Sequence, residues 1–190
     1  MLVTASKIKL VRQVASDLMR HEGFREYAYP DPLSEMRKKF KQFESKWGYV
    51  SALTLVPKGT DMSTGGPWTV GVGFTNGVTP ETRMTRIQAE RRLEEEVVEL
   101  DLVLSSKLSW YKTASDVTKS VLLNMAFNLG VAGLLKFKNT LAYIEQKNFT
   151  QAANNMLQSL WAKQVQGRAT ELAERLRTQD IPKEYEATLQ

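Results

Sequence analysis

The stretch VTKSVLLNMAFNLG, residues 117 to 130, is apolar almost all round. A helix without a polar face must be covered on every side, so this one predicts the centre of a helical lobe and requires further helices around it. The sequence supplies them. Thr79-Pro80 reads as an N-cap followed by proline at the first helical position. Thr85 and Gln88 have the spacing of a capping box, ahead of a helix carrying Ile87, Leu93, Val97, Leu100 and Leu104. Helical patterns follow near 137–147, 150–162 and 168–178, and then the polar tail IPKEYEATLQ. At the other end Ile8, Val11, Val14, Ala15, Leu18 and Met19 recur at three- and four-residue spacing. They make the apolar face of an N-terminal helix that Gly23 should stop.

One segment reads as a strand instead. In PWTVGVGFTNGV, residues 67 to 78, Trp68, Val70, Val72 and Phe74 take one face, and Thr69, Gly71, Gly73 and Thr75 the other. Asn76-Gly77 is a turn signal. A face bare except for two threonines suggests the floor of a cleft, since glycine in a strand marks a place of close approach. Residues 32 to 67 have no sustained period and carry six Lys/Arg against three Asp/Glu. They read as a long insertion with a short helix around Arg37 to Lys46; loops of that length are usually functional or disordered. The organisation expected is a single domain over 1–190. It has an N-terminal helix (1–22), a β-lobe (23–80) holding the insertion (32–67), a helical lobe (81–180) and a tail (181–190).

Composition narrows the chemistry. The chain has no cysteine, which excludes disulfides, thiolate metal sites and cysteine nucleophiles. Its one histidine, His21, rules out a multi-histidine metal centre and reads as a solvated or structural residue. No run approaches a membrane span, and the N-terminus lacks the apolar core of a signal peptide, so a cytoplasmic site of synthesis is expected. The net charge of +5 permits attraction to anionic polymers without choosing one. The basic run RKKFKQFESK, with Phe40, Phe43 and Trp47 interleaved, reads as the solvated face of an amphipathic helix with its aromatics packed inward, not as a nucleic-acid site.

In HEGFREYAYPD, residues 21 to 31, a glutamate stands against its local electrostatics. Glu22 follows Leu18 by four positions, on the same inward-leaning face, at the negative end of the helix dipole. Asp31 lies nine positions further on, and Thr69 sits on the open strand face. Glycosidic hydrolysis uses two carboxylates in different settings, one protonated and one ionised. Burial and a helix C-terminus both favour a protonated carboxyl, which suits Glu22 to the acid role. Asp31, on a polar turn between Pro30 and Pro32, suits the ionised role.

These residues carry a resemblance. HEGFREYAYPD followed by WTVGVGFTNGVTP resembles the bacteriophage lysozyme (endolysin) family, glycoside hydrolase family 24. Its signature is E-G, an aspartate nine positions after the glutamate, and a threonine opening a T-[IV]-G-[IVY]-G strand. Glu22, Asp31 and Thr69-Val70-Gly71-Val72-Gly73 match it residue by residue. LLNMAFNLG (122–130), FKNTL (137–141) and LWAKQVQGRA (160–169) resemble the family's central helix, the turn after it and its Trp-containing C-terminal segment. Two departures stand out. The aspartate-to-threonine gap is six positions in the family's short form and thirty-eight here, and Phe74 stands where the family often has histidine.

The resemblance implies an α+β, lysozyme-like fold, mainly helical with a small β-lobe. It implies hydrolysis of peptidoglycan between N-acetylmuramic acid and N-acetylglucosamine. Glu22 would be the general acid, with Asp31 and Thr69 positioning a water. Arg168 would pair with the glutamate, Gly71 and Gly73 would shape the strand, and Thr75, Phe127, Thr140 and Asn155 would contact saccharide. No cofactor or metal is implied. The expected context is a monomeric endolysin that accumulates in the host cytoplasm and reaches periplasmic peptidoglycan with the help of a holin-type partner. Two alternatives stay open: a catalytically silent wall-binding module, and the same chemistry in a virion-borne or secreted effector lysozyme.

Overall fold

The computed structural model describes residues 5–187. Residues 1–4 and 188–190, the outer ends of the expected N-terminal helix and tail, lie outside the described residues. The chain is mainly helical with one small antiparallel sheet of two strands. It divides into two compact units, one of residues up to Asp17 together with Leu93 onward, the other Leu18–Arg92. The divisions fall inside α1 (Ala5–Glu22) and α4 (Arg86–Lys107).

In the unit Leu18–Arg92, α1 ends as its sequence predicts, on Gly23 at φ +73°, a left-handed position that glycine takes without strain. The chain then enters β1 (Arg25–Pro30), which pairs antiparallel with β2 (Trp68–Gly71); Tyr29 faces Thr69 and Pro30 faces Trp68. The register shifts between Arg25 and Tyr29, where Tyr27 N donates to Gly48 O at 2.9 Å. On β1's other neighbour, Ala28 N donates to Thr82 O and Met84 N to Glu26 O. The stretch expected to be a helix from Thr79 is therefore a turn followed by an extended run beside β1. The helix starts only at Arg86, behind the Thr85–Gln88 capping box, which forms in both directions.

The insertion is folded. Ser34 caps α2 (Glu35–Lys39) by accepting from Arg37 N. A 3₁₀ turn (Lys41–Phe43), α3 (Ala52–Leu55) and a second 3₁₀ turn (Met62–Gly65) follow. The short helix expected over Arg37–Lys46 thus starts earlier and breaks at Phe40. Met36, Phe40, Trp47, Ala52 and Val56 of the insertion bury themselves with Ala28 of β1 and Trp68 of β2. Phe43 stacks on Phe40 and meets Trp47 edge-on, so the aromatics of the basic run do pack inward.

The strand expected across 67–78 stops at Gly71. Gly71 and Gly73 have φ of +69° and +108°, and Val70 and Phe74 bond to each other N-to-O in both directions, closing a tight turn. A period-2 pattern of valine and glycine fits a strand and a glycine turn equally well until backbone handedness decides. The expected glycine-floored face is accordingly absent. Gly71 is buried, and a Cβ there would lie 2.8 Å from Met84 Sδ and 2.9 Å from the Phe74 ring.

In the other unit, α5 (Asp116–Leu129) is the central helix its composition predicts. Ser115 caps it, and Val121, Leu122, Leu123 and Met125 are fully buried. α6 (Val131–Leu134) packs on α5; α7 (Lys138–Glu145) packs on α8 (Phe149–Leu157); α10 (Gly167–Thr178) packs on α5, α8 and α9 (Leu160–Val165). The helix expected over 150–162 is broken, because Ser159 accepts from Ala162 N and caps α9 as a separate start. On this unit's part of α4, Leu93, Val97 and Leu104 are buried; Ile87, on the part of α4 in the Leu18–Arg92 unit, is exposed. The tail is not a loose polar end: Gln13 donates to Tyr185 O at 2.7 Å and accepts from Ala187 N at 2.8 Å.

Candidate active site

Strand pairing brings the two ends of the thirty-eight-position gap between Asp31 and Thr69 back to adjacent strands. The insertion leaves after β1 and returns into β2, so the two ends of the excursion are hydrogen-bonded neighbours. Asp31 N donates to Gly65 O at 3.0 Å, the last tie before the chains diverge. Directly opposed residues share a sheet face and alternate residues return to it. Tyr29 and Thr69 are such a pair, and Asp31 follows Tyr29 by two. Loop length hardly matters to this geometry, since closure entropy grows only logarithmically with length.

Asp31 is held firmly for a carboxylate at a strand end. Its Oδ1 accepts from Leu33 N at 2.7 Å and its carbonyl accepts from Ser34 N at 3.0 Å, an Asx turn that fixes the side chain. Both Asp31 and Thr69 are half-buried. Glu22 is the last residue of α1. Its side chain is exposed, not buried as the helix stripe suggests, although Leu18 and Met19 on that stripe are. The reason is positional: the chain turns away at Gly23, so no further helical turn exists to flank residue 22.

Sequence reasoning missed Tyr29. Burial raises its phenol above the ordinary tyrosine value; Arg25 and Arg37 pull the other way, and Glu22 adds to the rise. Tyr29 thus shares a face with Thr69 and lies within the field of Glu22. The signal was available, because Tyr27, Tyr29 and Asp31 alternate along REYAYPD. Arg37 donates from Nη1 to Pro30 O at 3.4 Å and makes a two-pronged pair with Glu44, bracing the exit from β1.

The remaining predicted residues are distributed. Thr75 is exposed just beyond the glycine turn, where Arg92 stacks 4.0 Å over the Phe74 ring. In the helical unit, Arg168 donates from Nε to Asn124 Oδ1 at 2.9 Å and from Nη2 to Asn124 O at 3.3 Å. Thr140 and Asn155 are brought together, with the threonine hydroxyl donating to Asn155 Oδ1 at 2.9 Å. Thr140 is 1 % exposed, with its hydroxyl committed to Asn155. Phe127 is half-buried on α5 beside Asn128, which accepts from Trp161 Nε1. Among the described residues no cluster of His, Asp or Glu could hold a metal ion, and no helix is long and apolar enough to cross a membrane.

A mainly helical chain with a two-stranded antiparallel sheet that follows a helix ending in glutamate defines a lysozyme-like class of fold. The family profile described as phage lysozyme matches residues 55–179, more than half of the chain. The protein belongs to the phage lysozyme family, glycoside hydrolase family 24. Over 59 residues it is 37% identical to the Dictyostelium discoideum protein named Probable T4-type lysozyme 1, spanning 31% of this chain and 35% of that one. The match thus covers about a third of that relative's length. The profile takes in Thr69, Gly71, Gly73, Thr75, Phe127, Thr140, Asn155 and Arg168; Glu22 and Asp31 precede it.

Proposed function

We propose that this protein is a peptidoglycan hydrolase that cuts the β-1,4 bond between N-acetylmuramic acid and N-acetylglucosamine. The observation that carries the reading is the β1–β2 pairing. In a chain of the phage lysozyme family it sets Tyr29 opposite Thr69 and Pro30 opposite Trp68, just before Asp31 and after the helix that ends at Glu22, which supports the assignment of Glu22, Asp31 and Thr69. Glu22 gives its proton to the glycosidic oxygen as the bond to the anomeric carbon breaks. A water held by Asp31 and the Thr69 hydroxyl attacks that carbon from the opposite face and loses its proton to Asp31, so the product is inverted. An exposed glutamate is open to the substrate oxygen, and an aspartate fixed in an Asx turn need not be reorganised before attack. The family resemblance assigns saccharide contacts to Thr75, Phe127, Thr140 and Asn155 and a supporting role to Arg168. The chemistry uses no metal or cofactor, so activity is expected to persist in a chelator.

The biological role proposed is that of an endolysin. It is made in the host cytoplasm, works as a monomer and meets periplasmic peptidoglycan once a holin-type partner opens the membrane. Expression alone should leave cells intact, and membrane permeabilisation should then lyse them; lysis without permeabilisation would overturn this role.

The activity is tested by Glu22→Gln on purified peptidoglycan and on outer-membrane-permeabilised Gram-negative cells. The swap preserves shape and removes the proton donor, so a loss of about 10²–10⁴-fold is expected. The unfolding midpoint should stay near that of the wild type. Equal activity in a folded variant would place the acid elsewhere. Binding without cleavage by both proteins would favour a wall-binding module.

A further inference from the structure

The insertion contains a solvent-open cavity of about 330 Å³, lined by Pro32, Arg37, Lys38, Lys41 and Glu44. That size suits a small organic group. Three cations and one carboxylate line it, but they are not equivalent. Arg37 and Glu44 are committed to each other, and Arg37 also reaches Pro30 O. Lys38 and Lys41 have no carboxylate partner among the described residues. Both are exposed, and they flank Phe40, whose ring is buried in the insertion's core and so fixes the backbone that carries them. The net result is an open, shallow cavity with two ammonium groups not paired to a carboxylate.

Its position gives those charges a target. Pro32, one lining residue, directly follows Asp31 in the chain, and Arg37, another, bonds to Pro30 O at the end of β1. The cavity thus borders the segment through which the chain leaves β1 past Asp31. In peptidoglycan the sugars of the strand are uncharged, and the nearest fixed anions are the carboxylates of the peptides hanging from muramic acid. Lysines are flexible, compact charges able to follow such a mobile group. We propose that the Lys38–Lys41 pocket is a subsite for the carboxylates of the peptide stem, making the insertion a determinant of preference for peptide-bearing over bare glycan. The proposal rests on the peptidoglycan reading above for its substrate and on the cavity alone for its chemistry.

Two measurements on the full-length protein separate those dependences. The first titrates a soluble stem tetrapeptide into ¹⁵N-labelled wild type and K38Q/K41Q. Amide shifts confined to residues 37–44 in the wild type, and lost in the variant, are expected whether or not the protein cleaves anything. Absence of shifts, or equal saturation by inorganic phosphate at the same concentration, would overturn the stem assignment. The second compares rates on peptide-bearing peptidoglycan and on strands stripped by an amidase. The wild-type preference for peptide-bearing substrate should fall about fivefold in K38Q/K41Q, through KM rather than kcat, as expected for two exposed charge contacts. A preference retained in full would reduce the pocket to solvated surface. Stem binding without cleavage of either substrate would leave the subsite standing and sink the hydrolase reading instead.

Discussion

Arg175 with Asp17 and Arg37 with Glu44 are the same chemical pair in opposite surroundings. In the helical unit Arg175 and Asp17 are 1 % and 2 % exposed, joined by bonds of 2.5 and 2.9 Å, with Glu171 adding a third at 2.6 Å. In the insertion Arg37 is 14 % exposed and Glu44 60 %. A buried pair cannot lose one member without stranding a charge in a poor solvent, so it acts as a lock. A pair half in water is screened and easily replaced, so it shapes a surface without holding it. The contrast extends to the regions around them. The helical unit spends its charges internally to fix α1, α10 and the tail, where Tyr185 lies against Arg175. The insertion keeps its lysines outward over a small aromatic core.

The comparison can be tested from its strongest side. Asp17→Ala should destabilise the protein by about 3 kcal/mol or more, the cost of leaving Arg175 buried with reduced compensation. Denaturant unfolding measures it, and a loss under about 1 kcal/mol would mean that the pair is no lock. Trp47→Ala comes next, at about 3 kcal/mol, because it opens the core shared by the insertion and the sheet. Excising residues 33–66 uncovers Ala28 and Trp68 of the sheet and should lower the melting temperature at least as much as Trp47→Ala does.

A smaller effect belongs to Tyr111, whose hydroxyl donates to Asp101 at 2.9 Å. Burial, then the neighbouring Asp101, push its phenol well above the ordinary tyrosine value. The folded state therefore keeps a proton that the unfolded chain releases near pH ~10, so stability is intact below that pH and declines as pH rises beyond it. Tyr111→Phe should cost about 1 kcal/mol at neutral pH and flatten the alkaline decline. An equally steep decline in the variant would assign it to other groups. Glu44→Ala should be smallest, below about 1 kcal/mol, and should shrink further in high salt. A cost comparable to that of Asp17→Ala would erase the distinction between the two pairs.

Much of this was legible in residues. The end of α1 at Gly23, the Thr85–Gln88 box and the burial of α5 follow from local rules, because caps and apolar periodicity act within one or two helical turns. The candidate trio Glu22, Asp31 and Thr69 was readable from spacing and resemblance. Features that depend on backbone handedness or distant partners were not. Alternation could not reveal that Gly71 and Gly73 turn the chain. The stripe on α1 could not reveal that its last position lies open, and Thr79-Pro80 carries helix-start signals that the pairing of 82–84 with β1 overrides.

By itself, then, the sequence determined a helical protein with a short β element, a cysteine-free chemistry and the residues available to a glycosidase. Those are properties of composition and of contacts between near neighbours. Only the tertiary structure decided that a 32–67 excursion returns to its own starting point, sets Thr69 against Tyr29 beside Asp31, and folds into a core that supports the sheet while turning two lysines toward a cavity. The physical reason is that strand register and side-chain packing are set by partners dozens of positions away, and no local pattern encodes which partners those are.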